Sequence, residues 1–519
     1  MIKNKGEMLM AEIVKLNPAA LVELRRMNPA LVSYNVEMTE VTGGTFWRAY
    51  TDAQIDGTEE VPPPDFSKGI AAMHQWYDPI DTTNPRLIRL ARSLGKCWVR
   101  VSGTWATKTY YDFEGTGVVP EGYQNRLTRE QWINLLGFVR AVDGRLMISV
   151  ANCDGLHKHD EPWTPVQAEK IFALSKAEGV PVEAVEFVNE PNMLQMTGFP
   201  KDYTAQDFRR DQDIFHRWVR ENYPECLIVG PSDTDPGAMS VDAWGKPHPW
   251  AGEGSLDTAG IAAAMAYCST ADLMDGCTEK LDVFSYHYYN GVSERMAAMV
   301  PSAFTPAEGA LSEAYLGAAA HSARCFASYR DKYCPGGEMW VTESGDAGAG
   351  GHTWASTYLE VPRTLNELGG FSTVTNGVIF HNTLASSDYG YLKHGSFTPR
   401  PSYFAVLLWT KLMGDVVYAS GEPIREGAHV YAHSRKDGKC GAAYLVINNS
   451  WTETTAVELP AEAEVYALTG NGGMRSRTML LNGNELTLGE GDSLPKFKPR
   501  HVPAGTVEVA PGGCTFILI

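Results

Sequence analysis

The chain repeats a pattern in which a short apolar run is followed by a longer stretch of helical periodicity. Eight runs rich in β-branched and aromatic side chains predict strands at 31–38, 97–102, 145–151, 184–189, 227–230, 281–286, 339–343 and 378–382. Between two of them, Trp132, Leu135, Leu136 and Val139 share one helical face. Strands alternating with helices predict an α/β fold, a (β/α)8 TIM barrel whose active site lies at the C-terminal strand ends.

The pattern changes from about residue 415, where short strand-like runs are separated by Gly, Asn and Pro. These runs are 429–434, 442–448, 455–459, 465–468, 478–481 and 515–519. Their length and spacing are typical of a β-sandwich. We therefore predict a catalytic barrel over 31–414 and an accessory β-sandwich over 415–519, with 1–30 as a separate N-terminal segment.

Length and net charge indicate how many domains the chain can form and which binding partners are excluded. The 519 residues suffice for a barrel and a second domain, because single cores seldom grow beyond about 250–300 residues. The net charge of −18 argues against a nucleic-acid partner, which would require a basic surface. Because the chain is acidic and shows no cluster of Lys or Arg, its net charge also argues against tight binding of a long polyanion.

The sequence also bears on location. It contains no apolar run of about 18 residues, so we expect no membrane span and no membrane partner. No apolar run of signal-peptide length follows the N-terminal lysines, and the nine cysteines are scattered, as reduced thiols would be. We expect a cytoplasmic protein, with a trimmed export signal as the alternative.

Two glutamates follow predicted strands. Glu190, in Asn189-Glu190-Pro191, ends the fourth strand, and Glu343 ends the seventh. In a barrel both carboxylates would face one crater, where one can protonate a glycosidic oxygen while the other attacks the anomeric carbon. Each has a structural alternative: Glu190 can favour a helix start, and Glu343 can accept hydrogen bonds from the glycine-rich loop after it.

Neighbouring residues fit a sugar site. Asn189 can donate to a sugar 2-hydroxyl, and a tyrosine from the sixth strand can hold Glu343 ionised. His287 in the same strand is as readily a core residue as a ligand contact. The loop 345–351 can offer backbone amides to an anion. No metal-ligand spacing, nucleotide-binding glycine motif or serine elbow appears, so we expect no metal and no cofactor.

Several stretches together resemble glycoside hydrolase family 79, the heparanase and β-glucuronidase family of retaining (β/α)8 glycosidases. They are 99–104, 189–191, 286–291, 342–351, 388–392, 397–404 and 407–414. The resemblance runs from about residue 31 to residue 414. Because the Asn-Glu pair is common to many glycosidases, the ordered set of stretches is the more specific evidence.

The resemblance implies retention, with Glu190 as acid/base and Glu343 as nucleophile. It further implies two kinds of substrate contact, a tyrosine that orients Glu343, and an N-terminal segment, 1–30, that packs in the sandwich. The uronic-acid carboxylate would contact backbone amides near Ala349 and Gly350 together with Tyr389; sugar hydroxyls would contact Glu37 and Thr104; and Tyr288 would orient Glu343.

One departure concerns the loop, in which Ala349 separates Gly348 from Gly350 where heparanase has consecutive glycines. Another is that heparanase's excised linker and basic clusters are not evident. We therefore predict an exo-β-glucuronidase that acts on small glucuronides or oligosaccharide ends. The alternatives are a β-glycosidase for a xyloside, a glucoside or a methylated glucuronide, and a non-catalytic carbohydrate-binding barrel.

Overall fold

The computed structural model describes residues 13–194, 196–248 and 267–519, without the side chain of Phe66. Residues 1–12, on which the expectation about an export signal depends, lie outside the described residues. Eight parallel strands, here called barrel strands 1 to 8, close a barrel in chain order. They are Val32–Glu37, Trp98–Ser102, Arg145–Ile148, Val182–Glu186, Leu227–Asp233, Val283–Tyr289, Glu338–Gly345 and Ile379–His381. The predicted TIM barrel is confirmed.

Helices connect most of the barrel strands. The longer ones are Pro85–Ser93, Arg129–Ala141, Val166–Ala177, Ala205–Asn222, Glu313–Tyr333, Glu360–Val374 and Pro401–Leu412, and the short ones are Met38–Thr42, Asp52–Ile55 and Thr270–Met274. In Arg129–Ala141 the predicted face is buried, and the Thr128 hydroxyl caps the first turn by accepting from the Gln131 amide. None of the described helices is long and apolar enough to cross a membrane.

The lower half of the barrel interior is apolar. Alternate residues point inward, and Trp98, Met147, Ala184, Trp340 and Phe380 belong to one buried layer. The inward position two residues later is polar in barrel strands 2 and 4. The floor of the crater above the apolar layer therefore carries charged side chains.

The C-terminal region is a β-sandwich of two sheets. One sheet contains Val22–Arg26, Met413–Ala419, His429–Arg435, Ala442–Ile447, Cys514–Leu518, Ala463–Gly470, Met479–Leu481, Asn484–Glu485 and Arg500–Val502. The other contains Val14–Lys15, Thr455–Leu459 and Gly505–Val509. Apolar side chains from both sheets form one buried cluster, which confirms the predicted sandwich. Residues 14–26 contribute strands to both sheets of the sandwich, and the first barrel strand begins after them, at Val32.

Two small sheets lie beyond the C-terminal ends of the barrel strands. Gly44–Trp47 pairs with His74–Tyr77 after barrel strand 1, and Thr109–Asp112 pairs with Asn125–Thr128 after barrel strand 2. The first of these contributes Phe46 and Trp47 to the wall of the crater. These insertions deepen the crater around the strand ends.

Candidate active site

The structure brings Glu190 and Glu343 together at the bottom of the crater. A carboxylate oxygen of each, with a ring nitrogen of His287, lies within 4.8 Å of the others. Glu190 is 9% exposed and Glu343 is 7% exposed, so neither turns toward bulk solvent. Glu190 has a φ of +47°, which is uncommon for a residue with a β-carbon, and its amide donates to the Ser232 carbonyl. This local conformation turns the glutamate into the crater after barrel strand 4.

Glu343 is surrounded by hydrogen-bond donors. The Tyr289 hydroxyl donates to its Oε1 at 2.5 Å, and Asn382 Nδ2 donates to the same oxygen at 3.1 Å. Arg100 Nη1 donates to Oε2 at 3.3 Å. Charge-assisted hydrogen bonds of this kind favour the ionised carboxylate.

Glu190 has a different environment, because its contact with a described side chain is to His287, whose Nδ1 lies 3.1 Å from its Oε1. Burial and the Arg100 guanidinium lower the pKa of His287 well below its usual value, so the ring is neutral. Arginine only donates, and Arg100 Nη2 lies 3.2 Å from His287 Nε2. The Nε2 lone pair therefore faces Arg100, and the proton on Nδ1 faces Glu190.

The two carboxyl groups consequently differ in acidity. Burial, and then the neighbouring Glu343 charge, raise the pKa of Glu190 well above its usual value. Burial raises the pKa of Glu343 as well, but Arg100 and the Tyr289 hydroxyl act in the opposite direction. Of the pair, Glu190 is therefore the group that retains a proton and Glu343 the group that is ionised.

Arg100 and Glu186 form the charged floor beneath the two glutamates. Both are fully buried, and Arg100 donates to Glu186 through Nε and through Nη2 at 2.6 Å. Hydroxyls of Ser102 and Ser232 also donate to Glu186, at 2.7 and 2.6 Å. Glu186 thereby balances the arginine charge that stabilises Glu343.

Most of the predicted substrate contacts line the crater. Asn189 Oδ1 accepts from Arg100 at 2.7 Å, and its Nδ2 has no partner among the described residues. Glu37 and Thr104 lie in the wall beside the two glutamates. Gly103, with a φ of +90°, allows Glu37 to approach, because a β-carbon there would lie 1.6 Å from Glu37 Oε2. His287 is both buried and in contact with Glu190.

The expectation that Tyr288 orients Glu343 is wrong, because Tyr289 makes this contact. In the pairing of barrel strands 6 and 7, His287 lies opposite Glu343 and Tyr289 lies opposite Gly345, after a register shift that follows Tyr286. Alternation directs His287 and Tyr289 to the crater and Tyr288 to the opposite face. The Tyr288 hydroxyl has no partner in the described chain, and Arg363 and Glu367 influence its pKa.

The loop after barrel strand 7 covers the crater beside Glu343. Ala349 adopts a φ of +66° and Gly350 a φ of +89°, and neither amide donates a hydrogen bond to a described residue. Tyr389 lies next to this loop, where its hydroxyl accepts from Asn382 Nδ2 at 3.1 Å and its ring stacks on Tyr289. Ala349 and Tyr389 thus line one end of the cavity, whereas Gly350, a predicted substrate contact, is absent from the lining and packs against Trp47 and Ser387.

The carbonyl groups of this loop are held away from the cavity. The Ala349 carbonyl accepts from the Ser293 hydroxyl and Arg295 Nη1, and the Gly351 carbonyl accepts from the same Nη1 at 3.0 Å. The Gly350 carbonyl accepts from the Ser387 hydroxyl at 3.0 Å. These contacts fix the loop conformation in which its amides are unpaired.

Sequence reasoning missed Arg100, Tyr289 and Asn382 as site residues. Arg100 had a signal, because a charged residue inside the apolar run Trp98–Ser102 must be paired inside the barrel. Asn382 immediately follows barrel strand 8 and could have been found by its strand-end position. Tyr289 lies two residues after His287 in the same strand, so alternation could have placed it on the crater face with His287 and separated it from Tyr288.

The cluster of Glu190, His287 and Glu343 consists of residue types that bind metals. The Arg100 guanidinium, however, is 3.3 Å from Glu343 and 3.2 Å from His287. This fixed positive charge would repel a divalent cation at the same atoms. The arrangement is therefore suited to proton transfer and nucleophilic attack rather than to holding a metal ion.

The crater encloses a cavity of about 470 Å³, the size of a small-molecule site. Polar groups concentrate around the two glutamates, and aromatic and methionine side chains form much of the remaining wall. Paired buried carboxylates at the base of such a cavity can cleave a glycosidic bond.

Comparison with known proteins agrees with this geometry. Heparanase-like protein 1 of Arabidopsis thaliana is 22% identical over 496 residues, covering 85% of this chain and 85% of the relative. Baicalin-beta-D-glucuronidase of Scutellaria baicalensis is 30% identical over 186 residues, covering 34% of this chain and 35% of the relative. No family model matches the chain.

The fold is also that of solved glycosidases. A 4-O-alpha-L-rhamnosyl-beta-D-glucuronidase from Fusarium oxysporum aligns with a TM-score of 0.62 and 12% identity, over 98% of this chain and 100% of that chain. In sequence, over most of its length, the chain is similar to heparanase-like and β-glucuronidase-like glycoside hydrolases of family 79, and it has the fold of such an enzyme.

Proposed function

We propose that the protein is a retaining exo-β-glucuronidase in which Glu343 is the nucleophile and Glu190 the acid/base. The observation that carries this proposal is the approach of the two carboxylates to within 4.8 Å, oxygen to oxygen. Retaining glycosidases separate the two carboxyl groups by about 5–5.5 Å, whereas inverting ones need roughly 6.5–9.5 Å to admit water. Nearest oxygens within 4.8 Å are compatible with the shorter of these group separations, which supports direct attack by Glu343.

In the first step, Glu343 Oε2 or Oε1 attacks the anomeric carbon, and the bond from that carbon to the leaving oxygen breaks. Glu190 transfers its proton to the leaving oxygen, which departs as an alcohol. In the second step, Glu190, now a carboxylate, takes a proton from water. The resulting hydroxide oxygen bonds to the anomeric carbon, the ester to Glu343 breaks, and both glutamates return to their starting states.

Other residues assist this chemistry. The unpaired Nδ2 of Asn189 is available to donate to the sugar 2-hydroxyl, a contact that strengthens in the transition state. Glu37 and Thr104 are available to sugar hydroxyls in the same wall. Burial and the nearby Glu343 charge raise the pKa of Glu37 well above its usual value, so Glu37 can offer a proton to such a hydrogen bond.

The choice of a uronic acid rests on the loop beside Glu343. Its unpaired amides, at Ala349 and Gly350, are available to donate to an anion, and Ala349 lines the same end of the cavity as Tyr389. The buried Arg295 guanidinium, which pairs with Asp388 at 2.8 Å, holds the carbonyls of this loop from behind and so keeps these amides free for the proposed carboxylate. The names of relatives that act on glucuronides support the same choice.

The first test measures stereochemistry and sugar preference together. We expect the β anomer to appear first in ¹H NMR spectra of the hydrolysis of an aryl β-glucuronide. We also expect the glucuronide to be cleaved faster than the matched glucoside, xyloside and methyl-esterified glucuronide. An α product at first would contradict retention, a faster glucoside or xyloside would contradict the carboxylate site, and binding without hydrolysis would indicate a binding protein.

The loop can be tested separately. We expect Arg295→Met to raise KM for the glucuronide by about tenfold, because the loop loses the hydrogen bonds that hold its carbonyls, without a matching effect on a slow glucoside substrate. Arg435→Met is the control, because the Arg435 side chain is buried and pairs with Asp437 in the sandwich. Equal losses on both sugars would mean that Arg295 serves only the fold.

A further inference from the structure

A second cavity lies between the barrel and the sandwich. Its volume is about 880 Å³, within the range of small-molecule sites. Segments after barrel strands 1, 7 and 8 line it from the barrel, and residues 477–479 and 486–488 line it from the sandwich. None of its described lining residues also lines the cavity that contains Glu190 and Glu343. We call this separate space the second cleft.

Segment 387–389 separates the second cleft from the active site. Ser387 and Asp388 line the cleft, whereas Tyr389 lines the active-site cavity. Arg400 holds this segment, because its Nη1 donates to the carbonyls of Ser387 and Asp388 at 2.8 and 2.7 Å. Arg400 itself lines the cleft. A ligand that bound Arg400 would therefore contact the residue that fixes the wall between the two cavities.

Basic side chains predominate among the charged residues of the second cleft. The chain as a whole carries 44 Lys and Arg against 62 Asp and Glu, yet cations outnumber carboxylates in the described lining. The cations are Arg86, Lys393, Arg400 and Arg477, and the carboxylates are Asp52 and Asp388. Folding assembles these cations from distant parts of the chain, so no cluster is visible in the sequence. The second cleft therefore attracts anions although the protein is acidic.

The two carboxylates of the lining have cationic partners of their own. Arg477 Nη1 lies 2.6 Å from Asp52 Oδ1. Arg295, which is not in the lining, places Nη2 at 2.8 Å from Asp388 Oδ2. Neither carboxylate is therefore left to neutralise the other cations of the cleft.

The remaining cations are less fully engaged. Arg86 lies 3.4 Å from Asp492, which is outside the lining. Lys393 and Arg400 have no carboxylate within 4.0 Å in the described chain, and Arg400 Nε and Nη2 donate to no described residue. The hydroxyl of Ser356, a lining residue that is 6% exposed, also has no described partner. The cleft thus keeps both charges and donors available to a ligand.

The uncharged part of the wall is mixed. Ser396, Thr398, Thr478 and Thr487 contribute hydroxyl groups, and burial lowers the pKa of His394, so its ring is neutral. The larger apolar and aromatic side chains include Tyr50, Ile55, Tyr77, Phe404, Met479 and Leu488. A surface of this kind suits a molecule that combines an anionic group with a ring or other apolar body.

We propose that the second cleft binds a small organic anion, whose carboxylate, sulfate or phosphate group contacts Arg400 and Lys393 while its ring-bearing body packs against the apolar wall. The guanidinium and ammonium groups supply charge-assisted hydrogen bonds to such a group. The inference goes beyond the proposed function, because neither Glu190 nor Glu343 lines this cleft. The ligand would be bound beside the segment that presents Tyr389 to the active site.

The first test measures binding by isothermal titration calorimetry, which requires no turnover. The probes are naphthalene-2-sulfonate, the neutral 2-naphthalenemethanol and inorganic sulfate. We expect one naphthalene-2-sulfonate per chain, with a Kd at least about tenfold lower than that of either other probe, because only this probe has both the charge and the ring. A neutral alcohol or an inorganic sulfate that binds as tightly would overturn the inference.

Variants locate the bound probe. Lys393→Gln should raise the Kd of naphthalene-2-sulfonate by about threefold or more, the effect of losing one partly exposed charge. Lys411→Gln is the matched control, since Lys411 is also exposed and without a described ion pair but does not line the cleft. Arg400→Gln should have a larger effect, with circular dichroism as the control for folding. An unchanged Kd in Lys393→Gln would overturn the inference even if Arg400→Gln fails to fold.

A last variant separates the second cleft from the active site. Glu343→Gln removes a negative charge from the active site, so a probe bound there would bind more tightly. We expect the Kd of naphthalene-2-sulfonate to be the same in Glu343→Gln and in wild type. A lower Kd in Glu343→Gln would place the probe in the active site and contradict the inference. Failure of the proposed glucuronidase activity would leave all of these binding results unchanged.

Discussion

Glu190 and Glu343 are the same residue type, almost equally buried and a few ångströms apart, yet their surroundings are opposite. Glu343 accepts hydrogen bonds from Arg100, Tyr289 and Asn382, whereas Glu190 contacts the neutral His287. Burial raises the pKa of both, and only Glu343 has strong donors to oppose that effect. The comparison shows that the neighbours, rather than burial, distinguish the pKa values of the two carboxyl groups.

The largest effect is expected at Glu343. Glu343→Gln removes the attacking oxygen but preserves shape, and we expect kcat to fall at least about 10⁴-fold, as for nucleophile deletions elsewhere. Steady-state hydrolysis of an aryl β-glucuronide measures it, with circular dichroism as the control for folding. Activity within tenfold of wild type would remove Glu343 as nucleophile.

Glu190→Gln should have a smaller effect that depends on the leaving group. Loss of the acid is expected to cost about 10²–10⁴-fold for an alkyl β-glucuronide. Formation of the glycosyl-enzyme should suffer much less with a nitrophenyl leaving group, which needs little protonation, and a pre-steady-state burst would report it. Equal losses in that first step for both leaving groups would contradict an acid role.

The tyrosine pair sharpens the comparison further. Tyr289→Phe removes a hydrogen bond to the ionised Glu343, and we expect kcat/KM to fall about 10- to 100-fold. The Tyr289 hydroxyl lowers the pKa of Glu343, so its loss raises that pKa. Because the nucleophile must be deprotonated, the acidic limb of the kcat/KM profile should move to higher pH by about one unit.

Tyr288→Phe is the matched control for this variant, since it removes a hydroxyl one residue away that faces Arg363 and Glu367. Its pH profile should match that of the wild type. A shifted acidic limb in Tyr288→Phe, or none in Tyr289→Phe, would reverse the assignment of the two tyrosines.

The smallest expected effect is at Asn382, a neutral donor to Glu343. Asn382→Ala should lower kcat/KM about tenfold, the lower end for a hydrogen bond to a charged group, because the Asn382 contact at 3.1 Å is longer than that of Tyr289 at 2.5 Å. The acidic limb of its kcat/KM profile should also move to higher pH, but by less than in Tyr289→Phe. An Asn382→Ala loss larger than that of Tyr289→Phe would indicate that the amide has a direct role with the substrate.

The fold could be predicted from the sequence because the patterns that indicate its strands are local. Apolar runs such as Val283–Tyr289 identify barrel strands, and Asn189-Glu190-Pro191 stands at a strand end, so barrel and paired glutamates could be predicted together. The local signals for helix starts are less regular. The Thr128 cap can be read from Gln131 three residues on, whereas the helix Val166–Ala177 has Pro165 at its cap position and no side-chain cap.

The donors around Glu343 depend on long-range geometry that no local pattern contains. Thr342 is an extra residue in barrel strand 7 between the pairs Tyr286–Val341 and His287–Glu343, and this register shift brings Glu343 to the face of His287 and Tyr289. Arg100 reaches Glu343 across 243 positions of sequence, and its pairing with Glu186 follows only once the barrel is closed. Closure therefore determines which carboxylate is ionised.

The central claim is that Glu343, rather than Glu190 or the nearby Glu37, attacks the sugar. A 2-deoxy-2-fluoro-β-glucuronyl fluoride slows both steps and lets the ester accumulate, and mass spectrometry of peptides from the inactivated enzyme identifies the modified residue. The account predicts one glycosyl group on the peptide that contains Glu343 and none in Glu343→Gln. A label on Glu190 or Glu37 would contradict it.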